Sequence, residues 1–298
     1  MNIGWIGAGL MGAPMVRRLL EAGHEVTLYT RSGSPPASLT GLDLPVANSV
    51  GELARTSEVV FTILGGPRDV EEVYLSADGL ASNTRIGAVL VDMTTSSVEV
   101  AQRVASAASE RGAHALDAPV SGGPFGAESG SLSIMVGGSA SALDRVRDVL
   151  SVLGRVVVHH GGSGAGQCAK LVNQLVVAAV TESCAEAFLV ARRAGLDIRN
   201  VAQSLSAGAA GSPLSRFVLE RLDAGDRTPG FKVSHLRKDL DLVVGEGERL
   251  GLRLPLAELA RDAAVEVERS LGGNVGTQMI GSRLAPMAAL APRGGELP

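Results

Sequence analysis

The stretch Met1-Asn2-Ile3-Gly4-Trp5-Ile6-Gly7-Ala8-Gly9-Leu10-Met11-Gly12 decides the fold. Residues 2–6 are short, apolar and β-prone, and the amphipathic run Met15-Val16-Arg17-Arg18-Leu19-Leu20 comes after the glycines. Strand, G-x-G-x-x-G loop and helix in that order make a dinucleotide-binding turn. Gly7 allows the tight turn, Gly9 lets the backbone approach a pyrophosphate, and Gly12 lets helix and strand pack closely. Ala8, Leu10 and Met11 complete the loop, and the helix start offers N–H groups to phosphate oxygens. In a chain with 38 glycines the motif alone would say little. Its context carries it, because Glu25-Val26-Thr27-Leu28-Tyr29 supplies a second strand at the distance a βαβ unit requires.

Outward from this loop, strand patterns fall at 2–6, 25–30, 58–64, 88–92, 113–116, 132–137 and 155–158, with helical runs at 11–22, 49–55, 98–111 and 139–152. The alternation predicts a mainly parallel sheet with helices on both faces. At Gly161-Gly162-Ser163-Gly164 the character changes, and the rest of the chain reads as helix punctuated by Gly and Pro. The first of these helices runs from about 165 to 194 without a breaker. The expected fold class is α/β, with an N-terminal Rossmann-type dinucleotide-binding domain over 1–162 and an all-α C-terminal domain over 163–298. The tail from Pro286 to Pro298 is expected to be loosely held.

A chain of 298 residues fits two domains. With 45% hydrophobic but only 3% aromatic residues, Leu, Val and Ala must fill the core. The net charge of -4 gives no sign of the clustered basic face that a nucleic-acid footprint would need, and no nucleic-acid partner is expected. Two cysteines make no disulfide framework. Cys168 and Cys184 fall on one helix, where 16 residues separate them by roughly 24 Å, so they cannot bridge, and a reducing compartment fits. A first strand at residue 2 or 3 is expected to leave no room for a signal or transit peptide. The apolar stretch Leu171–Val180 is interrupted by Asn173 and Gln174 and reads as too short for a membrane span. A cytoplasmic protein without a membrane partner is expected. His159-His160 has no carboxylate or cysteine spaced for a metal, so none is expected.

After its second strand an NAD site usually carries Asp or Glu for the ribose 2′-hydroxyl, whereas an NADP site places Arg near the 2′-phosphate. Here the strand runs into Thr30-Arg31-Ser32, with no acid. Arg31 offers a charged fork and its neighbours offer hydroxyls. NADP is favoured, with NAD possible.

Farther on, Lys170, Asn173 and Gln174 stand at i, i+3 and i+4 and share one face of an otherwise apolar helix. Burying three polar groups costs free energy unless they are hydrogen-bonded. A polar stripe in an interface is one explanation. An active site is the other, where desolvation lowers a lysine pKa and lets it exchange a proton.

Four blocks resemble the β-hydroxyacid dehydrogenase family, the relatives of 3-hydroxyisobutyrate dehydrogenase and tartronate semialdehyde reductase. They are Ile6–Met15, Asp117-Ala118-Pro119-Val120-Ser121-Gly122-Gly123, Gly164–Gln174 and Gly230–Leu240. Gly126–Gly138 also looks like the family's continuation, and order and spacing match to about residue 285. The resemblance implies that Lys170 is the catalytic lysine, that Ser121, Gly122 and Gly123 hold a substrate carboxylate, and that Asn173 and Gln174 position the substrate. It further implies cofactor contacts from Leu64, Gly65, Thr95, Phe231 and Lys238. The implied activity is reversible hydride transfer between a nicotinamide cofactor and a short 3-hydroxy acid or its semialdehyde, with a homodimer or homotetramer as the assembly. Two departures bear on the substrate. Gln174 stands where many members have a second asparagine, as in the tartronate semialdehyde reductase branch, and Asn274-Val275-Gly276-Thr277-Gln278 replaces an Asp-x-Ser. Thr30 also stands where an Asn often precedes the arginine. An imine reductase-like NADPH enzyme and a non-catalytic NADP-binding protein remain as alternatives; Asn173, where a phosphogluconate dehydrogenase would show His, argues against that enzyme.

Overall fold

The computed structural model describes residues 1–284; the tail expected to be loosely held lies outside them. The strands are β1 (Asn2–Ile6), β2 (Glu25–Tyr29), β3 (Val59–Thr62), β4 (Val89–Asp92), β5 (His114–Asp117), β6 (Val120–Ser121), β7 (Leu132–Gly137) and β8 (Gly154–Gly161). They form one sheet in the order β2-β1-β3-β4-β5-β7-β6, with β8 on β7. From β2 to β5 all pairs are parallel. β7 then runs antiparallel to β5 and β6, and β8 returns parallel to β7. The sheet is thus mainly parallel, as predicted, with a reversal at one side that the sequence pattern did not register.

The connections carry α1 (Gly12–Glu21), α2 (Val50–Thr56), α3 (Pro67–Leu75), α4 (Leu80–Asn83), α5 (Val98–Glu110), α6 (Gly123–Ser129) and α7 (Ala140–Leu153). All four positions of β3 and of β4 are buried, as parallel strands covered on both faces require. Because side chains alternate across a strand, Ile3, Trp5, Val59, Phe61, Val89 and Val91 join α1 and α7 in one core. Ile6, Val60 and Leu90 face the other way, into a core with residues of α2 to α5. Trp5 is fully buried and stacks on Phe61 at 5.6 Å between centroids.

The chain divides into two compact units, Met1–Lys170 and the residues from Leu171 onward. The second contains most of α8 (Ala165–Arg193), then α9 (Ile198–Ala207), α10 (Pro213–Asp223), α11 (Val233–Arg249) and α12 (Pro255–Leu271), ending in a 3₁₀ stretch at Thr277–Arg283. Two of its helix starts, those of α9 and α10, carry side-chain caps. Asp197 accepts the N–H groups of Arg199 and Asn200, and Ser212 and Ser215 form a reciprocal capping box before Pro213 at the first helical position. Small residues such as Ala185, Ala260 and Ala264 pack with Phe188, Leu219 and Leu240 in its core.

By length and composition α8 is long and apolar enough to cross a membrane, which corrects the expectation of too short a run. The pair Asn173–Gln174 interrupts the apolar stretch without outweighing the Val, Ala and Leu around it. From Leu171 on, its residues Ala178, Cys184, Ala185, Phe188 and Ala191 belong to the second unit's own core. Cys168 and Cys184 both lie on this helix and are free.

Candidate active site

In the β1–α1 loop two of the three motif glycines are demanded by the chain itself. Gly7 has φ 96°, and a Cβ there would lie 2.1 Å from the Ile63 carbonyl oxygen; a Cβ at Gly12 would lie 2.0 Å from that of Gly7. Gly9 differs, since a Cβ there would meet nothing within 4 Å. No protein neighbour requires glycine at that position, whereas close approach of a pyrophosphate to the backbone does. The first turn of α1 carries no acidic residue, and Met11 gives it no side-chain cap. Leu10 is exposed, with Ala8 and Met11 half-buried beside it. The loop fits a dinucleotide phosphate group.

Beyond β2, the Thr30 and Ser32 hydroxyls both donate to the Ser34 carbonyl, at 2.9 and 3.2 Å. This closes a small turn on which Arg31 is exposed. It leaves a cation and no carboxylate at the β2 tip.

A buried network joins the tips of β3 and β4. One Asp92 oxygen accepts the Thr62 hydroxyl at 2.9 Å and the Thr94 N–H at 3.1 Å, and the Tyr74 hydroxyl lies 2.9 Å from Thr62 Oγ1. The Leu64 N–H donates to Thr94 Oγ1 at 2.8 Å. Burial pushes the Asp92 pKa up to about 6 against the pull of the Thr94 and Thr62 hydrogen bonds. The network fixes the two strand tips that carry half-buried Leu64, exposed Gly65 and half-buried Thr95.

Asp117, at the end of β5, caps the start of α8. Its two oxygens accept the N–H groups of Gly164 and Gln167, each at 2.8 Å. Burial raises its carboxyl pKa, and those N–H groups oppose the rise. Lys170, 6% exposed, sits one turn farther along. Ser121 ends β6, in register with Ser133. Gly122 and Gly123 then take φ of 134° and 62°, which L side chains rarely adopt, and turn the chain into α6. A Cβ at Gly123 would enter open space.

In the second unit, the Asn173 amide donates to Gln174 Oε1 at 2.8 Å, and the Gln174 amide donates to Asp239 Oδ2 at 2.5 Å. Lys238 Nζ lies 2.8 Å from the other Asp239 oxygen, within ion-pair distance but not aligned as a hydrogen bond. Asp239 and Gln174 are both buried. The Phe231 and His235 rings lie 6.3 Å apart. The Asn274–Gln278 segment braces this corner: Val233 N–H donates to the Val275 carbonyl, Thr277 N–H to that of Phe231, and Lys232 Nζ to Asn274 Oδ1. Among the described residues no group of three or more His, Cys, Asp or Glu side chains is placed to hold a metal ion.

Comparison with known proteins bears on this geometry. Residues 2–162 match the model of the NAD binding domain of 6-phosphogluconate dehydrogenase, and residues 164–282 match that of the NAD-binding domain of NADP-dependent 3-hydroxyisobutyrate dehydrogenase. The chain belongs to the β-hydroxyacid dehydrogenase family. It is 41% identical over 280 residues to an Arabidopsis thaliana protein named probable 3-hydroxyisobutyrate dehydrogenase-like 1, mitochondrial, covering 94% of this chain and 84% of that one. It is 35% identical over 284 residues to 2-hydroxy-3-oxopropionate reductase of Escherichia coli, covering 95% and 96%. A structure of 3-hydroxyisobutyrate dehydrogenase from Mycobacterium tuberculosis with L-serine matches with a TM-score of 0.86 at 29% identity, covering 95% and 98%.

In this β-hydroxyacid dehydrogenase family member the first unit holds the glycine loop, Thr30–Ser32, Leu64–Gly65, Thr95, Ser121–Gly123 and Lys170; the second holds Asn173, Gln174, Phe231 and Lys238. Sequence reading assigned no role to Asp92, Thr94, Asp117, Gln167 or Asp239, which hold the assigned residues in place. The Asp at the end of each of β4 and β5 was the available signal, because a carboxylate closing a buried strand needs a partner.

Proposed function

We propose that the protein is an NADP-preferring dehydrogenase of short 3-hydroxy carboxylic acids and their semialdehydes, of the 3-hydroxyisobutyrate or 2-hydroxy-3-oxopropionate kind. The observation that carries the reading is a buried lysine, Lys170, one turn beyond a capped helix start in a dinucleotide-binding unit. Nicotinamide, when bound, takes or supplies the hydride. The chain's own residues bind, orient and move the proton. In oxidation the neutral Lys170 amine takes the proton of the substrate hydroxyl; in reduction its ammonium donates to the carbonyl oxygen. Backbone N–H groups at Ser121-Gly122-Gly123 receive the carboxylate, as successive donors in a glycine turn can. Asn173 and Gln174 orient the substrate, and Phe231 and Lys238 act on the cofactor. Arg31 reads the 2′-phosphate.

A screen of short 3-hydroxy acids, their semialdehydes and the matching methyl esters, with NADP and with NAD, tests this by reduced-nicotinamide absorbance. Free acids should turn over with NADP preferred, and esters should react far more slowly. Esters reacting as well as acids would remove the carboxylate loop from the mechanism.

A further inference from the structure

Gln167 is fully buried in the first unit, three residues before Lys170. Both ends of its amide are spent on one loop. Its Oε1 accepts the Ser96 N–H at 2.9 Å, and its Nε2 donates to the Thr94 carbonyl at 2.8 Å. Those two backbone groups belong to the peptides on either side of Thr95, so the side chain grips Thr95 from both sides. Its own backbone N–H is taken by Asp117. The turn that bears it is packed backbone to backbone, for a Cβ at Gly166 would lie 2.4 Å from both the Asp117 and Met135 carbonyl oxygens, and a Cβ at Gly137 would lie 2.6 Å from the Gly166 nitrogen. The first turn of α8 is therefore seated on the backbone at the ends of β5 and β7.

From this geometry we infer that Gln167 is a positioning residue for the dehydrogenase reaction, locking the Thr94–Ser96 loop to the helical turn that carries Lys170. The inference rests on the proposed function for the roles of Thr95 and Lys170, and on the hydrogen bonds alone for the clamp. Its effect on rate is geometric. Proton transfer requires Lys170 at a fixed distance from the substrate oxygen while the nicotinamide end faces the carbon that exchanges the hydride, and small misplacements between the two cost rate steeply. The clamp does not touch the reacting atoms.

Gln167→Glu gives a test that a packing role would not pass. A neutral glutamic acid reproduces the pair, its C=O accepting from Ser96 and its O–H donating to Thr94. A carboxylate cannot donate and sets negative charge against the Thr94 carbonyl. Burial raises the pKa of such an acid, so the change falls in a measurable range. The Gln167→Glu kcat, divided by the wild-type value at the same pH, should be within about 3-fold of one at about pH 5.5 and fall about 10–100-fold by about pH 8.5. Gln167→Met, of similar shape but without the amide, should be slow at every pH. Substrate KM should stay within about 3-fold in both variants, because neither changes a substrate contact. NADPH affinity of Gln167→Glu, from fluorescence titration without substrate, should weaken over the same pH range. The unfolding midpoint is followed at each pH, so that loss of folded enzyme is not scored as loss of rate.

A Gln167→Met enzyme as fast as wild type, or a Gln167→Glu ratio flat with pH, overturns the clamp. If the Met variant fails to fold, the pH course of the Glu variant decides. A wild type inactive on every 3-hydroxy acid and semialdehyde overturns the functional reading instead. The NADPH titration then judges the clamp by itself, a pH-independent Gln167→Glu affinity overturning it.

Discussion

Arg31 is proposed to bind the cofactor, whereas Asp92 belongs to the buried scaffold. Arg31 stands exposed at the β2 tip with no carboxylate in the Thr30–Ser32 turn. Arg31→Ala should raise the Kd for NADPH by about 10-fold or more, the scale of a lost charge-assisted hydrogen bond, and change that for NADH by much less. Equal losses in the two titrations would mean that Arg31 does not read the 2′-phosphate. Asp92 acts on the fold. Its pKa stands at about 6, above the ordinary 3.8, so the folded state binds its proton more tightly than the unfolded chain. That contribution to stability is fully present below the ordinary value and is lost as pH rises through about 6. The wild-type advantage over Asp92→Asn should therefore fall by about 1 kcal/mol between about pH 5 and 7. Urea unfolding of both proteins at the two pH values measures it, and an unchanged difference would contradict the assignment.

At the scale of elements, what was legible in the sequence was what is local. The β1–loop–α1 unit is set by glycines at fixed offsets, and the helical face of Lys170, Asn173 and Gln174 by spacing alone. The Asp92 and Gln167 networks were not legible, because the bonds that join one strand tip or helix to another span 30 to 73 residues of chain and a sequence pattern carries no such pairing. Nor was the reversal of β7, which depends on the two-residue β6 and the seven-residue α6, both too short for periodicity to register. α3 was missed although Pro67 occupies a favoured first helical position; only Val70 and Tyr74 of its nine residues are buried, a thin apolar stripe. α8 carries a further expectation. Val172, Val176 and Val190 are 62%, 57% and 68% exposed, and they share one face, 176 and 190 being two heptads apart. A second copy of the chain would cover this face. Sedimentation at micromolar concentration should show at least a dimer, and Val176→Lys should dissociate it in part. A single species at the mass of one chain would refute the assembly.

At the scale of the molecule, the chain is an α/β dinucleotide-binding unit followed by a helical unit, and it belongs to a family of nicotinamide-dependent dehydrogenases. The division of labour is legible in composition. The first unit spends its glycines on tight turns, at Gly7, Gly122 and Gly123, and the second spends its alanines on close helix packing. The substrate carboxylate and the NADP preference are proposals that rest on particular residues, Ser121–Gly123 and Arg31, and Lys170 is proposed to carry the proton transfer itself. The most direct measurement is the turnover of Lys170→Ala against wild type on the best free 3-hydroxy acid, with NADP saturating and cofactor affinity titrated in both. Removal of the proton carrier should cut kcat by roughly 10²–10⁴ and leave the NADPH Kd nearly unchanged. Near-full turnover in the variant would contradict the mechanism at its centre.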